Sequence, residues 1–352
     1  MTDLKEKKKR KNNAESQKDS QLSPTKVAGE KEKRASDNSE ATAGDKEKAR
    51  EKGKNLYKMA CDYIKNVLTF VKEGKCFLLD PGFQIINEMV ALQFFTDTLF
   101  LRALRDDAPH EFIVTHPVDV AIYAIKMAKH LGWSKDRQVE IGMSALLHDV
   151  GMGLIPDELL FKEDRLNDDE YLIIKERSNY AYHILNNYKE DLAYLADCAL
   201  HVNERLDGSG YPMGLKGDEI HEYARIIGLL DMYEALIHSR PWRERFRHFS
   251  AIKEIIKLGK NIFQKRHLRT LLNIISIFPI FSYVRLNSNA IGQVIETYPG
   301  QPMRPKIRIV FDSQNRRLLA ERIINLRKNP FLTITDSVSE KEVQVFAEGP
   351  VL

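Results

Sequence analysis

From Leu56 to Leu258 apolar residues recur at helical spacing, and this regularity constrains the fold more than any other feature of the chain. Leu56, Met59, Ala60, Tyr63, Ile64, Val67, Leu68 and Val71 follow the i, i+3, i+4, i+7 pattern of one helix face. Pro81-Gly82 break the chain, and a second apolar run from Ile85 to Leu104 ends in Arg105-Asp106-Asp107. Further helices are expected over about Pro117–Leu131, Lys135–His148, Asp168–Asn187, Asp191–His201, Tyr223–His238 and Ser250–Leu258. A glycine-crowded loop, Asp207 to Gly217, separates two of them. The expectation is a mainly α protein built on a helical bundle.

Both ends depart from that texture. Residues 1–54 hold no Phe, Trp or Tyr and are rich in Lys, Glu, Ser, Asn and Ala. Such a segment buries too little apolar surface to offset its ordering entropy, so a disordered tail is expected. Within it, Gly44 to Lys54 tolerates transient helix. Past residue 282 the stretches Tyr283-Val-Arg-Leu, Gly292-Gln-Val-Ile-Glu and Pro305-Lys-Ile-Arg-Ile-Val-Phe alternate or carry β-branched residues, which predicts three to five short strands. The domain boundaries read from these changes are a tail over 1–54, a helical region over 55–110, a helical domain over 111–282 and a small β-rich appendage over 283–340.

Charge narrows the partners. The chain carries 54 Lys/Arg against 50 Asp/Glu, a formal +4. The tail alone has 16 against 11, leaving 38 against 39 in the rest, so the basic balance belongs to the tail. A nucleic-acid surface on the folded body is not expected, because that needs cations gathered on a folded face. The tail is either a solubilising arm or a docking arm. Three cysteines, Cys61, Cys76 and Cys198, form no CxxC pair, which points away from a disulfide scaffold and toward a reducing cytoplasm. Met1 to Asn12 lead into no apolar signal core, and the greasiest run, Leu271 to Val284, is cut by Pro279. A soluble cytoplasmic protein without a transmembrane segment is expected.

The chemistry-bearing residues are polar side chains set in apolar helices. His148-Asp149 ends the helix containing Ala145-Leu-Leu. An adjacent imidazole and carboxylate at a helix end can share one cation, and the carboxylate can bridge two. His116 opens an earlier helix, and Asp231 sits among Leu229, Leu230 and Met232, where a buried carboxylate needs a partner. A metal ion is one such partner and a structural salt bridge is the other.

Taken in order, these segments resemble the HD-GYP domain. The resemblance is carried by His116-Pro-Val-Asp-Val, Ala145-Leu-Leu-His-Asp-Val-Gly, Ile155-Pro-Asp-Glu-Leu-Leu, Glu204-Arg-Leu-Asp-Gly-Ser-Gly-Tyr-Pro, Ala224-Arg-Ile-Ile, Leu230-Asp-Met-Tyr-Glu-Ala-Leu and Ser239-Arg-Pro-Trp-Arg. It spans about residues 90–282, and Pro279 to Asp336 resembles a β extension found in some members. The resemblance implies an all-helical, metal-dependent phosphodiesterase fold acting on cyclic di-GMP through two or three metal ions, often iron or manganese. It also implies His116, His148, Asp149 and Asp231 as metal ligands, and Gly210, Tyr211, Arg240 and Arg243 as substrate-binding residues. The other reading of the last four is that the loop is a folding feature and the arginines pair with Glu234 or Glu244.

Other positions depart from the family. Lys175-Glu-Arg177-Ser and Val202-Asn203-Glu204-Arg205 stand where it has imidazoles, His201 comes one residue early, and Met152 replaces a lysine. Arg cannot become a ligand. The expectation is therefore a degenerate member that holds one divalent ion (Fe, Mn or Zn) or none, the second metal site being lost. It would act as a regulator or partner-binding module in cyclic di-GMP signalling, with cyclic di-GMP or a related nucleotide and protein partners as its ligands. The alternative is a mononuclear HD phosphohydrolase, with Glu204 or Asp157 as acid/base helper. A purely structural docking protein is a third reading.

Overall fold

The apolar stripe that begins at Leu56 lies on one long helix, α1 (Ala43–Lys72), whose buried face carries Leu56, Tyr57, Ala60, Tyr63, Ile64, Val67 and Val71. Met59, counted with that stripe from spacing, points to solvent at 49% exposure, because it falls off the edge of the packed face. The computed structural model describes residues 43–92, 111–259, 261–275, 277–298, 300–339 and 342–345. The tail expectation therefore lies outside the described residues for 1–42, as does the end of the Ile85–Leu104 run; α1 itself takes in the Gly44–Lys54 stretch.

Among the described residues the helices continue as α2 (Asp80–Ala91), α3 (Phe112–His130), α4 (Lys135–Leu147), α5 (Asp157–Leu160), α6 (Asp168–Lys175), α7 (Arg177–Leu185), α8 (Ala193–His201), α9 (Glu222–Ile237), α10 (His248–Leu258) and α11 (Lys265–Ile274). Pro81 opens α2 instead of separating two helices, since a proline in the first turn removes an N–H that has no intrahelical acceptor. α4 starts on Ser134, whose side chain accepts from the Arg137 N–H. The helix expected over Asp168–Asn187 is two helices. α6 begins with a reciprocal Asn167/Glu170 capping box, and the chain turns at Glu176 before α7.

The bundle is organised around α3, which lies against α4, α9 and α11. α4 also meets α2 and α8, and α7 runs beside α8. Val118, Val120, Ala121, Ile122, Tyr123 and Ala124 of α3 are all at most 1% exposed, so this helix is buried on nearly every side. Every polar residue it carries inward must then be satisfied within the protein.

Five strands follow: β1 (Tyr283–Leu286), β2 (Ile291–Glu296), β3 (Lys306–Phe311), β4 (Arg317–Asn325) and β5 (Ile334–Val338). They form one antiparallel sheet in the order β4-β3-β2-β1-β5. Val284, Leu286, Val294, Ile307 and Ile309 belong to the same buried apolar cluster as the helices, so the core runs continuously from helical body to sheet. Arg247, just before α10, donates to the Ser337 carbonyl and pairs with Glu342 at 2.7 Å. No described helix is long and apolar enough to cross a membrane.

Candidate metal centre

Four side chains from three elements converge on one point. His116 lies in the second turn of α3, His148 caps the end of α4, Asp149 follows it, and Asp231 projects from the middle of α9. One donor atom from each lies within 4.8 Å of the others, and all four residues are buried. His116 Nε2 is 2.8 Å from Asp231 Oδ1 and 3.9 Å from Asp149 Oδ2. His148 Nε2 is 3.7 Å from each of these two oxygens.

The donors suit a divalent cation. His148 Nδ1 donates to the Ala145 carbonyl at 2.7 Å, which leaves the lone pair on Nε2. That nitrogen is buried and has no hydrogen-bond partner among the described residues. Two carboxylates and two imidazoles are a usual set for iron, manganese or zinc. Without a cation, His116 holds a proton in its place. Burial opposes that charge, but Glu234, and hydrogen bonds to Asp231 and Glu234, outweigh it and raise its pKa to about 10. Burial would likewise raise the Asp231 carboxyl, yet the hydrogen bond from His116 and the charges of His116 and Arg177 hold it well below the usual carboxylate range.

Behind His116 lies a layer that the sequence patterns did not reveal as part of the site. Glu234 of α9 faces His116 Nδ1, accepts from Arg240 Nη2 at 2.7 Å and pairs with His238 Nδ1 at 2.9 Å. Three cationic neighbours keep it ionised despite full burial. Asp119, one turn beyond His116, forms with Glu234 and His238 a second buried group of donor atoms within 4.8 Å of one another. Burial pushes the Asp119 carboxyl up to about 8. One available signal would have found both: like Asp231, Asp119 and Glu234 are carboxylates embedded in apolar helices.

Beside Asp149, on the oxygen that also faces His116 and His148, stands Arg177, the first residue of α7. Its Nη1 donates to Asp149 Oδ2 at 3.0 Å, and its Nη2 donates to Asn203 Oδ1 at 2.9 Å and to the Tyr211 hydroxyl at 3.4 Å. Asn203 is oriented in turn by donating to Ser178 Oγ at 3.1 Å. The approach depends on Gly151, because a Cβ there would lie 2.0 Å from the Arg177 carbonyl oxygen. Burial works against the guanidinium, but Asp149, Tyr211 and Asp231 raise its pKa further, so it stays charged.

These groups line a cleft of about 460 Å³ that also exposes Phe112, Met152, Leu160, Tyr171, Arg205, Arg243 and Trp242. Tyr211 and Arg240 lie on its wall, although the Glu234 pairing takes one edge of Arg240. Arg243 also lines it, but its guanidinium is spent on the carbonyls of Ala235, Leu236 and Glu244. Three expectations need correction. Glu204 is not a free acid/base, since its carboxylate accepts from the N–H groups of Met213, Gly214 and Leu215 at 2.6, 3.1 and 3.0 Å. Asp157 is exposed, pairs with Lys72 at 2.7 Å and does not line the cleft. Gly210 does not line it either; a Cβ there would meet Glu204 Cα at 2.4 Å, so its part is to press the loop onto residues 203–205. His201 sits away from the cluster, its Nδ1 accepting from the His221 N–H at 3.2 Å.

Residues 100–265 match the HD domain family, and residues 283–346 match a KOW domain associated with the HD domain. A cyclic di-GMP phosphodiesterase of Pseudomonas aeruginosa is 26% identical over 242 residues, covering 69% of this chain and 58% of the relative. The chain is similar to the HD-GYP family over its HD domain. A cyclic di-GMP phosphodiesterase response regulator of Xanthomonas campestris is 35% identical over 147 residues, 42% of this chain and 39% of that protein. A 3'3'-cGAMP-specific phosphodiesterase of Vibrio cholerae is 32% identical over 163 residues, 46% of this chain and 38% of that protein. The chain thus spans well under two thirds of these HD-GYP relatives. An HD-GYP-type protein from Bdellovibrio bacteriovorus shares the fold, with a TM-score of 0.53 at 14% identity over 63% of this chain and 71% of that one.

Proposed function

We propose that this chain is a degenerate HD-GYP protein. It binds one divalent ion or none through His116, His148, Asp149 and Asp231, and acts as a regulator or partner-binding module in cyclic di-GMP signalling with weak or no phosphodiesterase activity. The observation that carries this reading is the Arg177–Asp149 pair at 3.0 Å. A two-metal clamp needs a carboxylate free to bridge two cations and further ligands on the far side. Here Asp149 Oδ2, the same oxygen that faces His116 and His148, already accepts from a guanidinium, and Asn203 braces that guanidinium.

The cleft lining supports an anionic nucleotide as the ligand. Arg177, Arg205, Arg240 and Arg243 line it together with Asp149 and Asp231, although Glu234 engages one edge of Arg240 and backbone carbonyls engage Arg243. Phe112, Tyr171, Tyr211 and Trp242 offer ring faces and edges to bases, and phosphate suits the guanidinium fork. The named activities of the relatives fit the same ligand class. A single bound ion would lower the pKa of a water and polarise a phosphoryl oxygen. Around it, Glu234 orients His116 and the Ala145 carbonyl orients His148.

A second reading, a mononuclear phosphohydrolase, is favoured by one observation: the quartet is complete and His148 Nε2 is unpartnered. Metal analysis and cyclic di-GMP turnover on one preparation separate the two. One ion or fewer per chain with little turnover is the result expected. Two ions with robust hydrolysis overturn the proposal, and one ion with hydrolysis that disappears in Asp149→Ala establishes the second reading.

A further inference from the structure

Arg177 has a guanidinium with five N–H donors. Among the described residues three contacts engage it, on Asp149, Asn203 and Tyr211. The structure gives no partner to Nε, nor to the second hydrogen of Nη1. The side chain keeps 15% of its surface exposed and lines the cleft. Its position is over-determined, because Asp149 fixes one edge while Asn203, itself held by Ser178, fixes the other.

This placement has a chemical consequence. A second metal ion beside Asp149 would attract phosphoryl oxygens and would need its own protein ligands. A guanidinium in that place supplies a permanent charge and directional donors without any ligand, and it cannot dissociate. Its ordering cost is already met by the folded protein, so little is lost on binding. The surroundings favour the same anion, since four arginines and two aspartates line the cleft. Met152, also on the wall, brings no competing charge.

We propose that Arg177 is a phosphodiester-binding residue standing in for a second metal ion, so that a cyclic dinucleotide is held in this cleft with no metal bound. The inference rests on the reading of the site as degenerate and adds to it the group that grips the ligand.

The test is titration calorimetry of cyclic di-GMP into the full chain before and after chelator treatment, with metal content measured on each sample. The wild-type affinity is expected to change by less than about threefold on stripping. Arg177→Gln is expected to weaken binding by the stripped protein about tenfold or more, the loss of a charge-assisted hydrogen bond. Arg177→Lys, which keeps the charge without the fork, should retain part of it. The double variant Asp149→Asn/Arg177→Gln removes both charges of the pair, so it leaves no buried charge unpaired; it should show the same weakening with a cooperative melt. Three outcomes overturn the inference: stripping abolishes wild-type binding, both glutamine variants bind like wild type, or no form binds cyclic di-GMP. Failure of the degenerate-site reading is scored elsewhere, by two ions per chain and rapid hydrolysis in the loaded protein, and does not alter what the stripped protein binds.

Discussion

Glu234 and Arg240 meet at 2.7 Å directly behind His116, both almost fully buried, and the same carboxylate also faces His116 Nδ1. A carboxylate in that position fixes the tautomer of a ligating imidazole and raises its basicity. Replacing Glu234 by Gln keeps the shape and removes the charge. Affinity for a divalent ion is expected to fall about ten- to a hundredfold. Competition with a fluorescent chelator would measure this, and an unchanged affinity would show that His116 needs no such support.

The Arg177–Asp149 pair makes a prediction about stability. Arg177→Met would leave the Asp149 carboxylate buried at 8% exposure with its strongest partner gone. Removing one member of a buried pair costs about 3–5 kcal/mol. Urea denaturation of the metal-free protein should show a loss of that order. Added divalent metal should restore part of it, since a cation at the quartet again neutralises Asp149.

Gly151 is the steric condition for that pair. A methyl group there would lie 2.0 Å from the Arg177 carbonyl oxygen and 2.7 Å from the Ala181 nitrogen, both of them backbone atoms that no rotamer change can move. Gly151→Ala must therefore displace the start of α7, at a cost of at least about 1–3 kcal/mol. A lowered melting temperature with weakened metal binding is expected. A variant that melts like wild type would mean α7 can shift freely.

How far these relationships were legible in the sequence depended on their range. The quartet was visible because Asp231 interrupts an apolar helix, where a buried charge needs a partner, because His148-Asp149 ends another, and because the resemblance to the HD-GYP domain joins them to His116. The strands from Tyr283 onward were visible because alternation has a period of two. Glu204 misled for the opposite reason. Its partners are backbone N–H groups nine to eleven residues away, brought together only by the loop from Asp207 to Gly217. The break at Glu176 was likewise invisible, because the helical pattern continues through it. Just past it, the start of α7 packs against Gly151, a contact between distant segments.

Glu204 gives a prediction that separates anchoring from catalysis. Its carboxylate collects three N–H groups of the loop, so Glu204→Ala strands them. Stranding these partly exposed donors costs less than the roughly 1–3 kcal/mol that a buried unmade donor would. Hydrogen exchange at Met213, Gly214 and Leu215 should accelerate at least about tenfold, while the metal content of the folded protein stays unchanged. Normal protection at those amides would remove the anchoring role.

The pH dependence of stability follows from the charges around His116. Its folded pKa of about 10 lies above the ordinary histidine value of 6.5, so its contribution is complete below about pH 6.5 and is lost as pH rises toward 10. Asp119 acts in the same direction. Its carboxyl, raised to about 8, keeps a proton in the fold that the unfolded chain has released, so stability falls across the window from its ordinary 3.8 to about 8. Asp231 and Glu234 oppose this at the acid end, because their depressed values make stability fall once pH drops below the ordinary carboxylate range. Metal-free protein should accordingly be most stable at mildly acidic pH and weaken steadily toward pH 10. A divalent ion bound through His116 Nε2 must first evict that proton, which removes the His116 share of the alkaline loss. Near pH 7.5 binding should then release about one proton per ion. Calorimetry in two buffers of different ionisation enthalpy reads this number directly, and a release near zero would mean that His116 is already neutral or is not a ligand.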